Sequence, residues 1–308
     1  MQPGLAMDSI KIPAAKEFVQ NAQKVIIGKD REVQLALICL ISNGHLLIED
    51  LPGMGKTTFV MLIAKLAGLR LQRIQFTNDL LPADILGTHI YDTTKSSFQF
   101  QPGPIFSEVV LGDELNRATP KTQSAFLQAM EEHKVSIDGK TYPLPEPFFL
   151  IATQNPIQQV GTFPLPESQL DRFMMRLRMN FPDRASEKKM LMESNQRPTI
   201  EEINPVLDKS VLADWQKSAL QIHASEKLVE YVQDLLTHSR QSMALKSGLS
   251  PRAGLLLIKA ARACAFLQGR NMVIPEDIQF VAPHVIAHRL NVHSDHMAQE
   301  LIATVPVP

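Results

Sequence analysis

One segment, His45-Leu-Leu-Ile-Glu-Asp-Leu-Pro-Gly-Met-Gly-Lys-Thr-Thr58, limits the possible folds more than any other. The apolar run HLLIE (45–49) reads as a short buried strand, and TTFVMLIAKLA (57–67) reads as a helix that stops at Gly68. A glycine-bearing loop ending in Gly-Lys-Thr between a strand and a helix has the form of a phosphate loop. Gly53 and Gly55 let the backbone approach a ligand closely, and the amides up to Thr57 can face phosphate oxygens. The start of the helix adds the positive end of its dipole. Pro52, Gly53, Met54, Gly55, Lys56, Thr57 and Thr58 are therefore the candidate phosphate-binding residues. Lys56 can reach β- and γ-phosphates, and the Thr57 hydroxyl suits Mg²⁺. Asp50 stands where the general pattern has glycine. A plain glycine-containing turn is the ordinary alternative, and residues further along the chain weigh against it.

The stretch EVVLGD (108–113) is an apolar strand that ends in two acids, Asp113 and Glu114. At the end of a strand beside a phosphate loop, Asp113 would hold hydrated Mg²⁺ and Glu114 would polarise an attacking water. The next apolar run ends in Ala152-Thr-Gln-Asn-Pro156, where the Asn155 amide could orient that water. Its ordinary alternative is satisfying the turn before Pro156.

At 308 residues the chain is long enough for about two domains. From about Glu17 to Phe181, helical stretches (30–43, 57–67, 120–131) alternate with strands at 45–49, 70–76, 108–113, 148–153 and 174–181. This is the pattern of an α/β domain with a parallel sheet of five strands. Segments 88–103 and 134–145 read as inserted hairpins, the second marked by Asp138-Gly139. After Pro182 only helices are expected, at 185–195, 208–222, 225–243, 251–268 and 275–290. The expected division is an N-terminal tail (1–16), an α/β core (17–182) and an α-helical domain (183–308), with LIATVPVP (301–308) fraying at the end.

Charge and hydropathy narrow the partners. Lys plus Arg is 31 and Asp plus Glu is 32, so no broad field favours nucleic acid or an anionic membrane. The longest apolar run, Leu35 to Ile41, has seven residues, against roughly 20 for a membrane span. The opening has no apolar core of the secretory kind. Cys39 and Cys264, far apart in apolar helix-like stretches, give no disulfide or zinc framework. A cytoplasmic, soluble protein is the expectation.

The residues assembled so far resemble the AAA+ ATPases and, within them, the MoxR group. The matching segments are HLLIEDLPGMGKTT, FQFQPGPIFSEVVLGDELNRATPKTQSAFLQAMEE, FFLIATQNPIQQVGTFPLPESQLDRF and SGLSPRAGLLLIKAARACAFLQGR, spanning roughly residues 20–290. Glu49-Asp50 is usual in MoxR-like sequences. The resemblance implies an AAA+ P-loop core with a C-terminal helical lid, and ATP with Mg²⁺ as ligands. Lys56 and Thr57 match Walker A, Asp113 and Glu114 match Walker B, and Asn155 matches sensor 1. Arg172 matches the arginine finger, which acts on the neighbouring subunit's nucleotide; Arg117 is a less favoured candidate for that role. Arg252 matches sensor 2, reaching from the lid onto the phosphates. From the residues alone, a salt bridge of Arg172 to Asp171 or Glu167 is as ordinary, and so is a surface position for Arg252. Lys24 to Gly28 resembles the segment packed near adenine, which makes Ile26 and Gly28 candidates there. The two hairpins resemble insertions of a clade that includes magnesium-chelatase subunits.

The resemblance further implies a homo-oligomeric ring, expected to be hexameric, and chaperone-like maturation or cofactor insertion for a client protein complex. A von Willebrand factor A domain partner would be a separate chain. The rivals are a magnesium-chelatase-like motor subunit, a DNA-remodelling helicase or loader and a non-catalytic nucleotide-gated module. Near-zero charge and the lack of an appended DNA-binding module count against the second; intact Lys56, Asp113 and Glu114 count against the third. Two further signals carry no assignment. His284 and His288 have a metal-friendly spacing without the glutamate of a zinc protease, and a solvated helix end explains them and the following His293 and His296. Arg176 and Arg178 alternate along one strand face.

Overall fold

The computed structural model describes residues 9–51, 53–155, 161–193, 197–242, 245, 248–290 and 295–307. Pro52 and residues 156–160, Pro156 among them, lie outside the described residues, as does His293.

The first half of the chain runs α1 (Pro13–Val25), α2 (Asp30–Ile41), β1 (Leu46–Glu49), α3 (Lys56–Leu66), β2 (Leu71–Gln75), α4 (Pro82–Leu86), β3 (Gly87–Asp92), β4 (Ser97–Pro102) and β5 (Val109–Asp113). A 3-10 turn (Leu115–Arg117) leads to α5 (Pro120–Glu132), β6 (Lys134–Ile137), β7 (Lys140–Pro143), β8 (Phe149–Gln154), α6 (Glu167–Leu170) and β9 (Met175–Leu177). The rest is helical: α7 (Arg184–Met192), α8 (Lys209–Leu220), α9 (Glu226–Gln241), α10 (Pro251–Leu267), α11 (Pro275–Ile286) and α12 (Asp295–Thr304). Helix starts follow local chemistry. Thr119, Asp183, Asp208, Ser225 and Ser250 accept backbone N–H bonds as N-caps, and proline opens α5, α10 and α11.

Five parallel strands form the sheet in the order β2-β5-β8-β1-β9. β5 and β8 are buried along their whole length, as strands covered on both faces must be. β2 lies at the edge and exposes Gln72, Arg73 and Gln75. β1 lies inside the sheet, so the loop after it emerges at the carboxyl edge, where open α/β sheets bind ligands. On one face, Phe126, Met130 and Phe173 pack with Leu47, Val110 and Leu150. On the other, Phe18, Ile38 and Phe59 form one continuous core with the lid residues Leu257, Cys264 and Val281. The lid therefore packs onto the core through α2, and Gln216 Nε2 donates to the Leu40 carbonyl at 3.0 Å across that junction.

Three details differ from the expectations above. The expected strand 174–181 is regular only over Met175–Leu177, because Asn180 turns with φ +48° and the backbone there is held by side chains. α1 begins at Pro13, inside the stretch read as tail, and Lys11 N donates to Leu267 O at 3.0 Å. The end of the chain does not fray at Leu301. α12 carries buried Ala298, Leu301, Ile302 and Val305 at helical spacing, a stripe of which half precedes or begins at the expected fray point.

Both hairpins form as expected, β3 with β4 and β6 with β7. They are joined to one another. His89 Nδ1 lies 2.8 Å from Asp138 Oδ2, and Phe100 stacks on Tyr142 at 4.0 Å. Among the described residues, no helix is long and apolar enough to cross a membrane.

Candidate functional site

Gly53 and Gly55 have φ of +83° and +75°, the left-handed region that glycine enters without penalty. A Cβ at either would meet nothing within 4 Å, so backbone conformation and not crowding demands glycine here. Gly55 is the N-cap of α3, which starts at Lys56. Lys56 is buried, with Nζ donating to the Asp50 carbonyl at 2.8 Å and to Asn155 Oδ1 at 3.1 Å. Burial holds its amine below the ordinary lysine value, offset by Asp50, Asp113 and Glu114. Thr57 and Thr58 occupy the first turn beside it.

Asp50 has a structural explanation for replacing glycine. Its Oδ2 accepts from Asn180 N at 2.7 Å and its Oδ1 from Leu51 N at 2.8 Å. Lys29 Nζ holds the same segment, donating to the carbonyls of Met179 and Asn180. The start of the phosphate loop is thereby tied to the chain leaving β9. That chain walls a cavity of about 410 Å³ lined by Ile26, Met54, Gly55, Phe181, Met190 and Leu191, among others. Ile26 lines this cavity on the side of the chain leaving α1. Gly28 does not line the cavity; its φ is +71°, and an added Cβ would come within 2.5 Å of Ser186 Oγ, so it is needed for the close approach of α7.

The acids lie at the end of β5. Thr153 Oγ1 donates to Asp113 Oδ1 at 2.6 Å and accepts from Glu114 N at 2.9 Å. Glu114 has φ +58°, an uncommon conformation for a residue with a side chain, at the turn out of β5. Asn155 Nδ2 donates to Glu114 Oε1 at 2.9 Å, which completes a chain Lys56–Asn155–Glu114 at the mouth of the loop. Asn155 is buried, and Asn116 Nδ2 donates to its carbonyl at 3.1 Å. Oxygen donors from Asp113 and Thr57 fit a hard cation such as Mg²⁺.

Sequence reasoning missed the contribution of β2. Arg73 Nη2 donates to Asp113 Oδ2 at 2.6 Å, and Gln75 Nε2 donates to Glu114 Oε2 at 3.2 Å. The register that sets Gln75 opposite Asp113 brings them there. The signal available was the spacing of Arg73 and Gln75, two apart and so on one face of the strand. Arg117, the second finger candidate, instead pairs within its own chain with Glu114 Oε2 at 3.1 Å.

Arg172 and Arg252 lie at the opposite end of the sheet. α5 leaves the acids at its N-terminus, and Glu131 lies about 17 Å further along at about 1.5 Å per residue. The next turn brings His133 within 5.6 Å of His45, which precedes β1. Glu131 Oε2 pairs with Arg172 Nε at 2.9 Å and Glu131 Oε1 with Arg252 Nη1 at 2.8 Å. Arg172 therefore pairs with neither Asp171 nor Glu167. Asp171 is taken by Arg289 at 2.7 Å and by Ser250 Oγ at 3.4 Å. Arg252, carried on the lid helix α10 that packs against α2, pairs with Glu131 near the amino-terminal edge of the sheet.

The remaining charged groups have structural partners. Arg176 and Arg178 share Glu49 Oε2, at 3.1 and 2.9 Å. His284 and His288 are no solvated helix end. Their ring nitrogens lie 3.3 Å from Arg176 O and 3.2 Å from Phe173 O, packing α11 and the turn after it against β9, and His288 is buried. Among the described residues, no group of three or more His, Cys, Asp or Glu side chains is placed to hold a metal ion. Cys39 and Cys264 are buried thiols, and burial pushes both up.

A phosphate loop on β1, paired acids on β5, an asparagine on β8 and a helical lid define the class: a P-loop protein of the AAA+ kind. Residues 45–175 match the ATPase family associated with various cellular activities, and residues 237–305 match the AAA lid domain. YeaC of Bacillus subtilis, of uncharacterized activity, is 41% identical over 96% of this chain and 95% of its own. Chaperone MoxR1 of Mycobacterium tuberculosis is 39% identical over 97% of this chain and 80% of its own. Protein MoxR of Methylorubrum extorquens is 30% identical over 94% and 91%. The crystal structure of a proposed ATPase from Cytophaga hutchinsonii superposes with a TM-score of 0.85 at 35% identity, covering 96% of this chain and 95% of that one. The chain belongs to the MoxR family of AAA+ ATPases.

Proposed function

We propose that this protein hydrolyses ATP to ADP and phosphate and uses the resulting motion to remodel a client protein. The observation that carries the reading is the hydrogen-bonded chain from Lys56 through Asn155 to Glu114. It puts a phosphate-seeking cation, a polar amide and a carboxylate in line at the end of one loop. In this reading Lys56 and the amides of the loop bind the β- and γ-phosphates, and Ile26 with its neighbours holds the base. Glu114 takes the proton of the attacking water, and Asn155 orients that water. Asp113 and Thr57 would hold Mg²⁺, which supplies charge neutralisation at the β- and γ-oxygens when bound.

The position of Arg172 and Arg252 supports a ring. A guanidinium that cannot reach its own phosphate loop can meet that of an adjacent subunit, and a trans arginine is worth roughly 10³–10⁵ in rate. Hydrolysis and assembly would then be coupled, in a hexamer by family resemblance. Ile90, Tyr91 and Phe98 stand exposed on the β3–β4 hairpin and offer an apolar surface for a client. The name of MoxR1 as a chaperone favours a protein client, and a separate von Willebrand factor A domain protein is the partner class implied by resemblance.

Glu114→Gln tests the reading. ATP should bind with wild-type affinity in calorimetry while phosphate release falls by about 10²–10⁴-fold. Turnover at the wild-type rate would remove Glu114 from the role.

A further inference from the structure

Resting on the trans reading of Arg172 and Arg252, we propose that Glu131 is a positioning residue that presents both guanidinium groups as one unit to the neighbouring subunit's triphosphate. Each carboxylate oxygen takes a different arginine, Oε2 the Nε of Arg172 at 2.9 Å and Oε1 the Nη1 of Arg252 at 2.8 Å. Two cations side by side repel, and a shared anion between them offsets that repulsion and sets their spacing. The choice of atoms matters. Arg172 is held by Nε, the nitrogen nearest its stem, which leaves its two terminal nitrogens to form a planar fork on phosphate oxygens. All three side chains are partly exposed, 26% for Arg172, 39% for Arg252 and 36% for Glu131, so the group is held and yet presented at the surface.

The support comes from both parts of the molecule. Glu131 stands on α5 of the core and Arg252 on the first turn of the lid helix α10. Asp171, next to Arg172, is gripped by Arg289, which is buried, and by Ser250, the cap of α10. Core and lid are thus joined at the arginine pair, with Arg172 and Glu131 on the core and Arg252 on the lid. Because a misplacement of about 1 Å can cost about 10²-fold in rate, a residue that fixes two arginines at once has a measurable kinetic role.

The test is Glu131→Gln in the full-length protein, with Glu131→Ala, which retains helix propensity, as a second variant should the first not fold. Phosphate release should fall by about 10²-fold in kcat with little change in KM. ATP affinity of the protomer, measured with Glu114 intact, should stay at the wild-type value. Mixed with Glu114→Gln subunits, the variant should recover activity, because its intact nucleotide site then meets a correctly held pair. Mixed with Arg172→Ala subunits it should not. A merely structural role would not produce that pattern. Unchanged turnover overturns the proposal, and so does faster turnover, which would mark Glu131 as a restraint. A loss that Glu114→Gln subunits do not relieve also overturns it. Separately, if Arg172→Ala is not relieved by Glu114→Gln in rings shown to mix, the trans reading falls and the proposal with it. If Arg172→Ala is relieved while Glu131→Gln has full turnover, only the Glu131 proposal falls.

Discussion

At the carboxyl end of the sheet, every charged group of the candidate site finds its partner within a few strands. Asp113 is held by Thr153 and Arg73, Glu114 by Asn155, Gln75 and Arg117, and Lys56 by Asn155 and the Asp50 carbonyl. At the amino end, two arginines share one glutamate and lie the length of the sheet from the phosphate loop of their own chain. The first group is assembled by sheet register together with the turns that leave the strand ends. The second is assembled by a lid helix docking on the core, and under the proposed function it acts on the nucleotide of another copy. This contrast predicts which substitutions act within a subunit and which act across a boundary.

The largest effect expected from the amino end is that of Arg172→Ala, a loss of about 10³-fold or more in phosphate release with ATP binding retained. Mixing with Glu114→Gln subunits should restore part of the activity, since one complete boundary can then form; an absence of recovery in mixed rings would break the contrast. Arg252→Ala should lose about 10²-fold, the typical cost of one transition-state charge donor. Its recovery with Glu114→Gln subunits decides between the position seen here and a reach onto its own phosphates, which would show none.

The carboxyl end is sharpened by Thr153→Val. The hydroxyl joins Asp113 to the Glu114 amide, and removing it leaves buried polar groups short of a partner, at a cost of about 1–3 kcal/mol in urea unfolding. This loss should be the same in isolated subunits and in rings, and no mixture should relieve it.

A graded effect concerns pH at the amino end. Burial, reinforced by His133, Lys259 and Arg252, pushes the His45 imidazole from 6.5 down to about 3, and its Nδ1 accepts from Leu150 N at 3.1 Å. The native ring stays neutral while the unfolded chain takes up a proton below its ordinary value. Stability from this group is therefore present above about pH 6.5 and declines toward about pH 3, by at most about 1.4 kcal/mol per unit. His45→Gln should flatten the fall in urea midpoint between about pH 6.5 and pH 4; an unaltered slope would show that His45 does not drive it.

What was legible in the chain followed distance along it. The phosphate loop reads from a dozen consecutive residues because strand, turn and helix start are neighbours. Asp113, Glu114 and Asn155 could be recognised as strand ends. Arg73 and Gln75 could not be matched to Asp113 and Glu114, because the pairing exists only through the register of β2 against β5. The α12 stripe, Ala298 to Val305, falls after the last expected helix (275–290) and runs into the tail expected to fray.

The order of apolar and polar residues alone determined an α/β core with a phosphate loop followed by helices, since hydrophobic periodicity and glycine placement act over a few residues. Tertiary structure alone decided where the lid sits, that Asp50 ties the phosphate loop to Asn180, and that Glu131 gathers Arg172 and Arg252. Those outcomes depend on which buried faces meet, and such contacts join residues far apart in the chain whose energies no local pattern encodes.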